Sequence, residues 1–100
     1  DGIRAGHVKS RLESEEDVSL LDVRPHDQYK RQHLPGAKNV PLTVLRGRLR
    51  ELPRDREIIV YSNVSQSAYE ANIILRANGF DPIKVMDGGL AMWPYKTVGE

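Results

Sequence analysis

Ile58-Ile59-Val60-Tyr61-Ser62-Asn63-Val64-Ser65-Gln66-Ser67 is the stretch on which the fold turns. Its first four residues are β-branched or aromatic with no polar interruption, the pattern of a strand buried on both faces. A mainly polar segment, Ser62 to Ser67, follows, and then Ala68, Ala71, Ile74 and Leu75 fall on one side of a helix. Gly79 is placed to end that helix in the left-handed conformation, with Phe80 folding back as the hydrophobic follow-up. Strand, loop and helix in this order put the loop at the carboxyl end of a strand, where open α/β sheets bind ligands. Successive N–H groups there can face one concavity, and the helix dipole adds a positive end. Geometry alone therefore nominates Ser62, Asn63, Val64, Ser65, Gln66 and Ser67 as a candidate anion-binding loop.

Outward from this unit the alternation continues. Val18 to Val23 is a short apolar strand running into Arg24-Pro25, and Pro25 suits the first position of a brief helix ending near His33. The turn Leu34-Pro35-Gly36 precedes a second short strand, Ala37 to Val40, closed by Pro41. Leu42, Leu45, Leu49 and Leu52 then form a helical stripe that Pro53 stops. At the start of the chain, Val8 and Leu12 share one face of a first helix reaching Glu13. Beyond Phe80, Ile83 to Met86 makes a last strand, and Asp87-Gly88-Gly89 turns into a short helix around Leu90 to Trp93. This order predicts a three-layer α/β domain, a mostly parallel central sheet with helices on both faces.

One hundred residues suffice for one compact domain and not for two, and the start at Asp1 reads as a domain excised from a larger protein or processed. No apolar run approaches the length that spans a bilayer, and no signal-peptide core opens the chain, so no membrane contact and a cytoplasmic location are expected. A net charge of +1 supplies no field toward nucleic acid, and none is expected as partner. Cysteine is absent, which removes disulfides, thiolate metal sites and cysteine nucleophiles together. His7, His26 and His33 show no ligand spacing, so no metal is expected, and no cofactor either.

Two further clusters are weighed on chemistry. Ser62, Ser65 and Ser67 with His33 as base would suggest a serine hydrolase, but no G-x-S-x-G elbow and no acid paired with His33 is evident. Hydroxyl capping of the following helix is the plainer role for these serines. Arg46, Arg48, Arg50, Arg54 and Arg56 interleave with Glu51, Asp55 and Glu57, as on a solvated helix face with local ion pairs. A docking surface for an acidic partner is the alternative. Trp93 and Tyr95 read as core and edge, or as part of an interface with a neighbouring domain.

Asp22-Val23-Arg24, Tyr29, His33-Leu34-Pro35-Gly36-Ala37 and Asn39-Val40-Pro41, taken in order, resemble signatures of the rhodanese/sulfurtransferase family. Ile59-Val60-Tyr61 is similar to the strand before that family's catalytic loop, and Gly79-Phe80, Gly88-Gly89 and Trp93 to its closing signature. Asp22, Arg24, His33 and Gly36 are read as structural parts of this pattern. Arg24 can pair a carboxylate or bond loop carbonyls, His33 can bond backbone groups, and Gly36 supplies turn conformations that a β-carbon resists.

The resemblance implies a loop that opens with cysteine, continues through glycine and ends near arginine. That cysteine takes sulfur from thiosulfate or a similar donor as a persulfide and passes it to a thiol or cyanide. Here the resemblance places Ser62 at the cysteine position, Ser65 at the glycine and Ser67 at the arginine. A thiol ionises at about pH 8.5, and lower at a helix N-terminus, whereas a serine hydroxyl stays protonated and forms no sulfur–sulfur bond. The related phosphatases need the same cysteine and arginine. Ser62 is read either as natural loss of the site or as a cysteine replaced for study, and the parallel change at Ser65 and Ser67 favours natural loss. The expected function is a catalytically degenerate module that binds a small anion such as sulfate or thiosulfate weakly, or positions another domain of the same chain or a protein partner. The alternative is a sulfurtransferase whose nucleophile Ser62 replaces.

Overall fold

A computed structural model describes residues 1–100. Glu57–Tyr61 is the central strand, labelled β4, and every residue from Ile58 to Tyr61 is at most 1% exposed. Its side chains alternate between two cores. Ile58 and Val60 face a cluster that includes Ala68, Ala71 and Leu75, while Ile59 and Tyr61 face one built on Val8, Leu34 and Trp93. A strand covered on both sides is what an unbroken apolar run encodes.

β4 pairs in parallel with β2 (Val18–Asp22) from Val18↔Glu57 to Asp22↔Tyr61, and with β5 (Ile83–Met86) on its other side. β3 (Lys38–Asn39) extends the sheet beyond β2, and β1 (Gly2–Ile3) extends it beyond β5. All pairings are parallel and the order is β1-β5-β4-β2-β3. The helix α3 (Gln66–Ala77) covers the first cluster with Ala68, Ala71, Ile74 and Leu75. On the opposite face α1 (Ala5–Glu13) buries Val8, and α2 (His26–Arg31) contributes only the half-buried Tyr29. The α3 terminus follows the expected pattern: Gly79 has φ +84°, its N–H bonds Arg76 O, and the N–H of buried Phe80 bonds Leu75 O. No helix is long and apolar enough to cross a membrane.

Three local expectations need correction. The leucine stripe is not one helix but two 3₁₀ turns, Leu42–Gly47 and Leu49–Glu51. Leu42/Leu45 and Leu49/Leu52 are each three apart, the 3₁₀ period, and the four-residue step straddles the break at Arg48. Leu45 and Leu52 are buried, with Leu42 and Leu49 against the same core. Pro25 precedes α2 as its N-cap rather than opening it, and α2 stops at Arg31. The two-residue β1 gave no periodic signal and was not expected at all. The arginine stretch, accordingly, is not a helix face. Arg48 and then Lys38 hold Glu51 down to about 2, Arg56 reaches Asp17, and the Arg54 guanidinium lies 4.0 Å from the Phe80 ring centroid. Arg46 and Arg50 take part in no ion pair.

Tyr61 ties the end of β4 to the turn that precedes β3. Its hydroxyl accepts the Leu34 N–H at 3.0 Å, in full burial. Burial, and after it the Asp22 carboxylate, push the phenol far above its ordinary pKa. The unfolded tyrosine ionises near pH 10 while the folded one does not, so this stabilisation is complete below pH ~10 and falls as pH rises beyond it. Tyr61→Phe should therefore cost about 1–3 kcal/mol at neutral pH by orphaning the Leu34 N–H. It should also flatten the decline above pH ~10, leaving the part owed to Tyr29 and Tyr69, whose phenols are raised as well. Urea titrations at several pH values measure both; an unchanged alkaline slope would contradict the assignment.

Candidate functional site

β4 delivers Ser62 to the carboxyl edge of the sheet, and the chain crosses to α3 through Asn63, Val64 and Ser65. Ser62 is 3% exposed and its hydroxyl donates to Val64 O at 2.6 Å. From below, the 3₁₀ turn Gly89–Met92 fixes the loop: Leu90 N–H bonds Ser62 O at 2.8 Å and Ala91 N–H bonds Asn63 O at 3.0 Å. Gly89 has φ +60°, and a Cβ there would stand 2.4 Å from both Ser62 O and Val64 O. Only glycine admits so close an approach of two backbones.

The loop is also held from the side. The Asn63 amide donates to Gln28 Oε1 at 2.7 Å, and Asn63 Oδ1 accepts from Arg24 at 3.3 Å. Arg24 in turn lies 5% exposed against a fully buried Asp22. Its backbone N–H, Nε and Nη2 all bond that carboxylate, at 2.8–3.2 Å, and Nη2 also donates to Gln32 O. The pair is neutral as a whole, so Arg24 positions the loop without lending it a net charge. Asn39 completes the corner by donating to the carbonyls of Asp22 and Arg24.

Capping by the serines is overturned. Ser65 occupies the N-cap of α3, yet its hydroxyl accepts the Gly88 N–H at 2.8 Å and caps nothing. Ser62 is turned to Val64 O, and Ser67 lies within the first turn of α3. As a result the N–H groups from Asn63 through Ala68 have no acceptor in the protein. Ser67 lines a cavity of about 250 Å³ together with Val23, Pro25, Pro41, Leu42 and Thr43, none of them charged. Gln66 is exposed and Val64, at 56%, projects from the crest of the loop.

His33 is not joined to this loop. Its Nδ1 donates to Tyr29 O at 2.7 Å, its ring stacks on Tyr29 with centroids 3.8 Å apart, and its backbone pairs with Val98. No hydrogen bond links it to Ser62, Ser65 or Ser67, which removes the base that a serine hydrolase requires. Gly36 has φ +82° in the turn before β3. His26 bonds Asn39 at the surface, and no three His, Asp or Glu side chains converge anywhere. The sequence did not suggest Asn63 and Gln28 as the clamp, nor Thr43 as a wall. The tandem Gly88-Gly89 was the one visible trace of the backbone contact.

The sequence profile of the rhodanese-like domain matches residues 5–95. The chain belongs to the rhodanese-like family. Among curated proteins, this rhodanese-like domain is 39% identical over 95 residues to an HTH-type transcriptional regulator of Mycobacterium tuberculosis, covering 93% of the chain and 41% of the regulator. It is 28% identical over 86 residues to a sulfurtransferase of Allochromatium vinosum, covering 86% of the chain and 80% of that protein. The chain thus spans less than half the regulator's length. Among solved structures, the NMR structure of a rhodanese-like domain from Anabaena superposes with a TM-score of 0.91 at 34% identity. That match covers 99% of the chain and 79% of the Anabaena domain. The domain's sulfurtransferase relatives and its fold agree with the motifs quoted from the sequence.

Proposed function

We propose that this rhodanese-like domain does not transfer sulfur and serves as a regulatory or interaction module within the polypeptide that carries it. The observation that carries this reading is Ser62. A chain without cysteine has no group to hold a persulfide, and the residue at the strand end is a buried hydroxyl already bonded to Val64 O. The uncharged cavity beside Ser67 supports the same reading, since a dianionic sulfur donor would find no counter-charge there. So does the resemblance to an HTH-type transcriptional regulator, of which the matched stretch is 41%.

A small anion such as sulfate or thiosulfate remains part of the proposal, because the uncapped N–H groups of residues 63–68 precede a three-turn helix. With Arg24 neutralised by Asp22, affinity should be millimolar, about 4 kcal/mol. The alternative is a sulfurtransferase with its nucleophile replaced, which the Allochromatium relative favours. Incubation with thiosulfate and cyanide should give no thiocyanate above a heat-inactivated control, and intact mass should show no added sulfur. Sulfate titrated at constant ionic strength should shift the amide signals of residues 63–67 before any others. Thiocyanate production by purified protein would end the non-catalytic reading, and shifts confined to Arg46 to Arg56 would end the anion site.

A further inference from the structure

The cavity beside Ser67 does not stop at the loop. It shares Leu42 and Thr43 with a second cavity of about 380 Å³, lined also by Arg46, Glu70, Ile73 and Ile74. Together they form one groove between the 3₁₀ turn Leu42–Gly47 and the outer side of α3. The 3₁₀ wall offers Arg46, and the α3 wall offers Glu70 and Ile73, the latter 68% exposed. Arg46 and Glu70 form no ion pair with each other or with any other side chain, although ten ion pairs form elsewhere on the surface. Opposite charges facing one apolar floor, each left without a partner, describe the occupant by complementarity.

We propose that this groove docks an amphipathic helix of a protein partner, its apolar stripe on the floor, an acidic side chain over Arg46 and a basic one over Glu70. Two adjoining cavities suit apolar anchors a helical turn or two apart, the usual spacing for a helix laid in a groove. A uniformly acidic segment would satisfy Arg46 and be repelled by Glu70, and nucleic acid would meet that same repulsion with no aromatic side chain in the groove to stack on. A second copy of the domain is disfavoured by shape, because a concave surface facing itself across a two-fold axis leaves a void. The inference deepens the interaction role proposed above and fails separately from it: sulfur transfer would end that role without altering the affinity of this groove.

Three side-chain-stapled helical peptides test it, each with leucine at positions i, i+3, i+4 and i+7. One carries glutamate on one flank and lysine on the other, one glutamate on both, one lysine on both. The mixed peptide should bind at least about tenfold more tightly than either uniform one, with amide shifts centred on residues 42–46 and 67–74. Arg46→Glu should turn the preference to the doubly basic peptide, and Glu70→Lys to the doubly acidic one. Ile73→Asp should weaken all binding at least about tenfold with no change in the unfolding midpoint, since that side chain is mostly in water. Equal affinity for the three peptides, no binding, or shifts centred elsewhere would overturn the proposal. So would a dimer in light scattering that Ile73→Asp dissociates, because the groove would then belong to a second copy.

Discussion

Asp22→Ala is expected to remove about 3–5 kcal/mol of folding stability, a large part of the roughly 5–15 kcal/mol that holds a domain of this size. Asp22 is fully buried and receives the backbone N–H, Nε and Nη2 of Arg24, itself 5% exposed. Truncation leaves a guanidinium charge in the interior with only Asn63 Oδ1 and Gln32 O as acceptors. The loss comes less from the missing attraction than from this uncompensated charge, so its size can be checked by a second change. Asp22→Leu combined with Arg24→Met removes both charges and should recover much of the loss, because a buried ion pair and a well-packed apolar pair are often near parity. Recovery should stop short of the native level. Arg24 also bonds Asn63 and Gln32, and the double variant frees the loop on that side. Urea unfolding midpoints at neutral pH give the comparison, and amide exchange at residues 62–65 reports the loosened loop. A loss below about 1 kcal/mol for Asp22→Ala would show that solvent reaches the pair and would sink the argument.

That corner was half legible in the sequence. The run Val18 to Val23 fixed a buried strand, and an arginine directly after it had to find a partner; Asp22, two residues back, needs no long-range information. Asn63 and Gln28 are 35 residues apart and both are ordinary surface types, so their bond is a consequence of how α2 sits over the loop. The same division holds elsewhere. β4 and α3 were readable because burial on two faces and on one face leave different periodicities. β1 was not, since two residues carry no period and its place at the sheet edge is decided by β5. The leucines at 42, 45, 49 and 52 had the correct buried side but the wrong helix type, because spacings of three and four fit either. The serines misled for a tertiary reason: the Gly89–Met92 turn brings Gly88 N–H to Ser65 Oγ, and that contact outcompetes the local cap.

Ser62→Cys by itself should leave sulfur transfer within about tenfold of background, whereas Ser62→Cys, Ser65→Gly and Ser67→Arg together should exceed the single variant by at least about 10²-fold. The position of Ser62 explains the first half. A cysteine sulfur in place of its hydroxyl enters a site 3% exposed and faces Val64 O, an acceptor that favours the protonated thiol. Burial raises a thiol pKa further, so little thiolate forms at neutral pH. Ser65→Gly withdraws the hydroxyl that fixes Gly88 N–H and gives the loop backbone the freedom to turn its N–H groups toward the sulfur. Ser67→Arg sets a positive charge on the wall of a cavity that now has none, where it lowers the thiol pKa and meets the anionic donor. Alkylation rate against pH separates these steps: the single variant should react slowly with its midpoint above the free thiol value, and the triple variant below it. Thiocyanate release from thiosulfate and cyanide gives the transfer rate for each. Full activity from Ser62→Cys alone would mean that the loop is intact apart from its nucleophile, and would favour the replaced-nucleophile sulfurtransferase over a site that has lost its function.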